Sequence, residues 1–215
     1  MKKDEEGGWT AKRVCIDYRT LNKRIRKDRY TLHRPDDIFD RAGGARLYSK
    51  VDLRAGFHQI PIDPASQGYT AFWWRNQLSM YARAPFGVQS CPAIFQRIVD
   101  YELHKAGCAG FAMAYIDDII VWSDTPEEHA EHLDKVLRAL HDCGLRAHPD
   151  KSVFGADCIE YLGHNISAGG LSPNDVKIQA IRDLRPPTTV AEVLSVLGFM
   201  GYYRCLLPAA FQRAG

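Results

Sequence analysis

The sequence predicts an α+β fold, an antiparallel sheet with helices packed on one face. Three observations lead there. Strand-like and helix-like segments are intermixed along the chain, and the two best strand signals are a lone strand and a hairpin. The 215 residues are 46% apolar, enough for one sizeable core. No internal repeat or low-complexity stretch interrupts them.

The elements follow in order. Gly7-Gly8 reads as a turn, and Trp9 to Tyr18 as a strand. Gly43-Gly44 is a second break, after which Ala45 to Leu53 alternates as a half-buried strand does. The alternation continues from Phe57 to Ile62 and closes at Pro61 and Pro64. Residues 69–74 and 78–82 read as a hairpin turning at Arg75-Asn76-Gln77. A loop at Pro85-Phe-Gly-Val leads into a helix with Pro92 in its first turn and Ile94, Phe95, Ile98, Val99 and Leu103 at helical spacing. Gly107 and Gly110 end it. Residues 111–122 are two apolar runs around Asp117-Asp118.

The next helix has Thr125 as N-cap, Pro126 in its first position and Glu128 completing a capping box. Leu133, Val136, Leu137 and Leu140 give its apolar face, and Gly144 suits its C-cap. Asp124, Glu127, Glu128 and Glu131 complement the helix dipole from a solvated face. His129 and His132 are expected on that face too, because His-Ala-Glu-His is not a zinc-binding H-E-x-x-H. Residues 159–171 read as a short strand pair through Tyr161-Leu-Gly-His and Gly169-Gly170. From Pro173 the chain looks helical, in two pieces separated by Pro186-Pro187.

Charge and cysteine content narrow the function classes. Net charge is only +2, but residues 12–34 hold nine Lys and Arg against Asp17 and Asp28. Such a block either faces a polyanion or is a solvated surface. No stretch approaches the ~18 continuous apolar residues of a membrane span. No secretory signal is apparent at the N-terminus. The six cysteines form no C-x-x-C pair and read as small buried residues in a reducing compartment.

Asp117-Asp118 carries the sharpest chemistry. Adjacent carboxylates between apolar, β-branched runs are costly to bury as ions unless something neutralises them. A plain hairpin turn is one reading, although Asp-Asp is a poor two-residue turn. A divalent cation is the other, since magnesium takes one or two carboxylates plus substrate phosphates. Asp52, ending the strand Tyr48-Ser-Lys-Val-Asp, is the natural third carboxylate. Asp36, Asp37 and Asp63 compete but read as cap or turn residues. Two ions roughly 3.5–4 Å apart on such a set would serve phosphoryl or nucleotidyl transfer.

These residues resemble a family. Tyr115-Ile-Asp-Asp looks like the Y-x-D-D box of reverse transcriptases. Ser49-Lys-Val-Asp-Leu-Arg-Ala-Gly-Phe-His-Gln-Ile resembles the first palm motif of gypsy-type LTR retrotransposon (Metaviridae-like) polymerases. Cys15-Ile-Asp-Tyr-Arg-Thr-Leu-Asn-Lys, Pro85-Phe-Gly-Val-Gln-Ser-Cys-Pro-Ala-Ile-Phe-Gln-Arg, Tyr161-Leu-Gly-His and Leu197-Gly-Phe-Met-Gly-Tyr-Tyr-Arg are similar to other segments of that group, in order. The resemblance runs from about Lys2 to about Pro208.

The resemblance implies a right-hand polymerase: fingers at 1–26 and 60–90, palm at 27–59 and 91–168, and the start of a thumb or connection at 169–215. It implies that Asp52, Asp117 and Asp118 hold two Mg2+ ions, with Mn2+ as a substitute and the Leu53 carbonyl as an extra ligand. Phe57 becomes the plate that excludes a 2′-hydroxyl; without the resemblance it reads as a core aromatic. Arg13 grips the triphosphate. Phe86 and Gly87 line the nucleotide pocket. Lys151 meets the leaving pyrophosphate, or is a surface lysine. Tyr115 lies along the primer–template path, and Leu162-Gly163 forms a turn that positions the primer end.

The implied partners are an RNA or DNA template with its primer and dNTPs, with no membrane. Ribonuclease H and integrase domains are expected in the whole element, which works in cytoplasmic particles. Two further readings stand beside the polymerase. One is a truncated, non-catalytic remnant that binds nucleic acid. The other is a cyclase-like enzyme on a similar sheet, which leaves Arg13 and Tyr161-Leu-Gly-His unexplained.

Overall fold

The computed structural model describes residues 15–174, positions 179 and 183, and residues 185–202. Arg13, the first part of the strand expected at 9–18, most of the helical piece expected after Pro173, and Cys205 lie outside the described residues. In chain order the strands are β1 (Leu47–Asp52), β2 (Phe72–Trp74), β3 (Gln77–Ser79), β4 (Ala112–Tyr115), β5 (Asp118–Ser123), β6 (Val153–Ala156), β7 (Cys158–Tyr161), β8 (His164–Ser167) and β9 (Gly170–Pro173). The helices are α1 (Arg19–Asn22), α2 (Pro35–Ala42), α3 (Pro64–Gln67), α4 (Cys91–Lys105), α5 (Pro126–Asp142) and α6 (Val190–Tyr202).

A four-stranded sheet in the order β4-β5-β1-β6 forms the centre, antiparallel throughout. Side chains alternate across a strand, so β5 feeds two cores. Ile119 and Val121, with Val51 of β1, pack on Phe95, Val99 and Leu103 of α4 and on Val136 and Leu140 of α5. Ile120 and Trp122, with Tyr48 and Met113, pack on Ile38 and Phe39 of α2 and on Ile159, Tyr161 and Ile166 of a second sheet, β7-β8-β9. This is why residues 119–122 are a continuous apolar run rather than an alternating one: both faces are covered. The two long helices share one face, as expected. The short α2 and the three-stranded sheet cover the other, which the sequence pattern did not show.

Several local expectations are corrected. Residues 15–18 are irregular and lead into α1 rather than completing a strand. Residues 56–59 form a 3-10 turn instead of an extended continuation, because Ala55 and Gly56 take positive φ (57° and 34°) and turn the chain. The β2–β3 hairpin turns on Arg75-Asn76 alone, both left-handed (φ 48° and 60°), which is type I′ character and matches strand twist. His129 is buried rather than solvated, since it lies on the stripe shared with Leu133, Val136 and Leu140. Cys91 and Cys108 are buried as expected, whereas Cys15 and Cys158 are exposed. Half of the capping box of α5 is present: Thr125 accepts from the Glu128 N–H at 3.3 Å, while the Glu128 carboxylate reaches one residue further back and accepts from the Asp124 N–H at 3.1 Å.

Candidate active site

Three carboxylates meet at one end of the central sheet. Asp52, the last residue of β1, pairs directly with Asp118, the first residue of β5. In an antiparallel pair, residues directly opposite point to the same face, so the two side chains are neighbours. Asp117 lies in the two-residue turn between β4 and β5, whose closing pair is Tyr115 and Asp118. A hairpin turn is present, but one residue earlier than an Asp-Asp turn: it is Ile116-Asp117, and Asp118 already belongs to a strand.

That turn is strained. Ile116 has φ 56°, which is costly for a β-branched residue. Gln96 of α4 sustains it. Its side chain is fully buried, its Oε1 accepts from the Ile116 N–H at 2.7 Å, and its Nε2 donates to the Ala114 carbonyl at 2.8 Å and to Asp100 at 2.9 Å. The Leu53 N–H donates to the Asp117 carbonyl at 2.8 Å, fixing the turn to the end of β1.

The Asp117 residue is exposed, yet its carboxylate leans against Gly56, where an added Cβ would meet Oδ2 at 3.4 Å. Loss of water there pushes its pKa above the usual carboxylate range, and the neighbouring Asp118 and Asp52 charges push the same way, opposed by its own backbone N–H and by Lys151. Lys50 forms an ion pair with Asp118 at 3.0 Å. The Tyr161 hydroxyl donates to the Asp118 carbonyl at 2.9 Å. Asp52 is held at its backbone: its N–H donates to Ser152 Oγ at 3.2 Å and its carbonyl accepts from the His148 N–H at 2.7 Å.

Of the other expected residues, Arg13 lies outside the described residues, and the rest stand as follows. Phe57 sits in the 3-10 turn after β1, with its ring 5.6 Å from that of Phe86 and 5.8 Å from that of Phe95. Gly87 has φ 93°, and its carbonyl accepts from the Asn22 side chain at 2.8 Å, which ties the segment after Cys15 to this loop. Lys151 lies in a 3-10 turn beside Ser152, close enough to bear on Asp117. Leu162 and Gly163 form the β7–β8 turn with φ 47° and 74°, directly after Tyr161. Asp63 caps α3 through the Ala65 N–H at 3.1 Å, as the cap reading expected, whereas Asp36 and Asp37 lie inside the first turn of α2, whose N-cap is Arg34.

Four contributors escaped the sequence reading: Lys50, Gln96, Tyr161 and Gln59. Gln59 bridges the Arg54 carbonyl (2.7 Å) and the Arg146 N–H (2.7 Å), bracing the chain after β1. Lys50 had one available signal, since it stands two residues from Asp52 and shares its face.

The model of the reverse transcriptase (RNA-dependent DNA polymerase) family matches residues 1–166. The chain belongs to the reverse transcriptase family. Its relatives include the retrovirus-related Pol polyprotein from transposon 297 of Drosophila melanogaster, 36% identical over 96% of this chain and 20% of that protein. The corresponding polyprotein of transposon gypsy is 33% identical over 91% and 19%. This reverse transcriptase chain thus spans about a fifth of those curated relatives' length. A foamy viral protease-reverse transcriptase solved in complex with ds DNA superposes with a TM-score of 0.85 at 28% identity, over 94% of this chain and 35% of that one. The same viral protein with an RNA/DNA hybrid gives 0.78 at 29%, over 87% and 25%.

Membership of the reverse transcriptase family implies dependence on a divalent metal. Among the described residues, no three His, Cys, Asp or Glu side chains stand as a preformed metal cage. The donor set nonetheless suits magnesium, which completes its octahedron with water and substrate phosphates rather than with an all-protein shell. Loss of water at Asp117, and after it the Asp118 and Asp52 charges, is the cost such an ion would relieve.

Proposed function

We propose that this chain is the fingers and palm of a DNA polymerase that copies RNA or DNA templates, as part of a gypsy-type retrotransposon Pol polyprotein. The observation that carries the reading is the pairing of Asp52 with Asp118, with Asp117 in the adjoining strained turn. Asp52, Asp117 and Asp118 would hold two magnesium ions, with the Leu53 carbonyl as a further ligand and manganese able to substitute. Bound there, the ions supply positive charge to the attacking and leaving oxygens of an in-line displacement.

The chain's own residues do the rest. Phe57, braced by Phe86 and Phe95, limits the space beside the sugar and so favours deoxynucleotides. Phe86 and Gly87 line the nucleotide pocket. Arg13 grips the triphosphate through its forked guanidinium, and Lys151 compensates charge on the departing pyrophosphate. Tyr115 and the Leu162-Gly163 turn orient the primer end, the turn through Tyr161 and its bond to the Asp118 carbonyl. The primer 3′-hydroxyl attacks the α-phosphate of a dNTP, forming the new P–O bond as the bond to pyrophosphate breaks. Fingers at 1–26 and 60–90, palm at 27–59 and 91–168, and the thumb or connection from 169 complete the assignment.

Primer extension on an RNA template with magnesium and dNTPs, beside Asp117→Asn, tests it. Extension by the parent, falling by at least about 100-fold in the variant, supports the reading. Equal extension by both removes Asp117 from the site. Nucleic-acid binding without extension by either points to a non-catalytic remnant.

A further inference from the structure

Lys50 has no part in the nucleotidyl transfer as described, yet it is the cation bonded to a proposed metal ligand. Its Nζ lies 3.0 Å from Asp118 Oδ1, and the two side chains are only 22% and 24% exposed. At that distance and degree of burial the pair is a specific contact rather than a screened surface one. Strand geometry brings the two within reach. Lys50 and Asp52 share a face of β1, and Asp118 is the cross-strand partner of Asp52, so Lys50 stands diagonal to Asp118 and within reach of a long side chain. Tyr161 borders the same spot, with Lys50 Nζ 6.0 Å from its ring centroid.

We infer that Lys50 is a resident counter-cation for Asp118, which a divalent metal must displace, so that the site binds free metal weakly and fills together with the polyphosphate of its nucleotide. The inference rests on the magnesium-site reading above. In the metal-free protein Lys50 offsets the repulsion among the three carboxylates and keeps the β1 and β5 ends paired. An arriving divalent ion meets a fixed positive charge beside one of its ligands, and like charges at this range weaken binding. A metal arriving with triphosphate brings its own anionic oxygens, which favour the exchange. Lys50 then has somewhere to go, because the face of the Tyr161 ring accepts an ammonium. Asp118 itself stays in place, since its backbone is held by the Tyr161 hydroxyl and by pairing with Asp52. Lys50 is accordingly a positioning residue.

Titration with Mn2+, following the free ion by its EPR signal, tests this on the parent, Lys50→Met, Lys50→Arg and Asp118→Asn, with thermal melts in EDTA to confirm folding. Lys50→Met is expected to bind Mn2+ roughly tenfold more tightly than the parent. Lys50→Arg should stay near the parent, and Asp118→Asn should bind more weakly. A dNTP added to a primer–template complex should narrow the gap between parent and Lys50→Met. Lys50→Gln repeats the comparison should the methionine variant melt early. Parent binding that weakens in Asp118→Asn but is unchanged or weaker in a folded Lys50→Met overturns the role of Lys50 alone. Absence of Mn2+ binding in every protein overturns it together with the metal site.

Discussion

At the scale of the residue, Asp117 combines a cost to the fold with a proposed role in chemistry. Its pKa is raised in the folded chain, so the stability it contributes is intact below the ordinary carboxylate value and is lost as pH rises through the raised one. Asp117→Asn, measured in EDTA at pH 7, is therefore expected to melt about 2–4 °C above the parent, with the difference shrinking as pH falls toward 4. A variant that melts no higher at pH 7 would show that the charge is already compensated without metal. The position was legible in the sequence because two acids interrupt two apolar runs. Gln96 and Lys50 were not. A glutamine among Ile94, Phe95, Ile98 and Val99 gives no hint that its amide meets the Ile116 N–H of another element, and a lysine in an alternating strand looks solvated.

Elements are tied together by a second buried polar group, His129 of α5. Its Nε2 meets Ser49 Oγ of β1 at 2.7 Å and its Nδ1 meets Ser123 Oγ of β5 at 2.9 Å, while Ser49 Oγ also accepts from the Gly155 N–H of β6 at 2.9 Å. One imidazole thus links the helix to three adjacent strands. Burial first, and then the neighbouring His132, hold its pKa below the ordinary 6.5, with Glu128 opposing. An unfolded chain takes up the proton that the folded one resists, so stability is complete above pH 6.5 and falls as pH drops below it. Urea midpoints at pH 7.5 and 5.5 should show that fall, and His129→Asn should flatten it. An equally steep fall in the variant would assign it to other groups. The boundaries of α5 were readable from Thr125, Pro126 and Glu128 because caps are local chemistry. The inward position of His129 was obscured by the acids around it, although its spacing to Leu133, Val136 and Leu140 carried the signal.

Across the whole molecule, the inner strands β1 and β5 of the central sheet are buried on both sides, which sets the expected response to core truncation. Ile119 and Ile120 are adjacent and fully buried, one in each core. Ile119→Ala and Ile120→Ala should each cost about 2–5 kcal/mol by chemical denaturation. A sheet covered on one face only would spare one of them, and a loss below about 1 kcal/mol at either position would deny that core. The α+β class and the two long helices on a common face were legible from periodicity. The second layer was not, because α2 and β7-β8-β9 are short and meet the sheet only through long-range packing. The pairing of Asp52 with Asp118 has a consequence for how this chain tolerates change. Side-chain direction along a strand depends on odd or even count, so deleting the Val51 codon would put Lys50 and Asp52 on opposite faces of β1 while leaving every residue of the acidic triad encoded. Gains or losses in the loops at 124–125 or 143–147 carry no such penalty on that count. Inheritance of the chemistry therefore depends on parity inside two six-residue strands as much as on the identity of three acids.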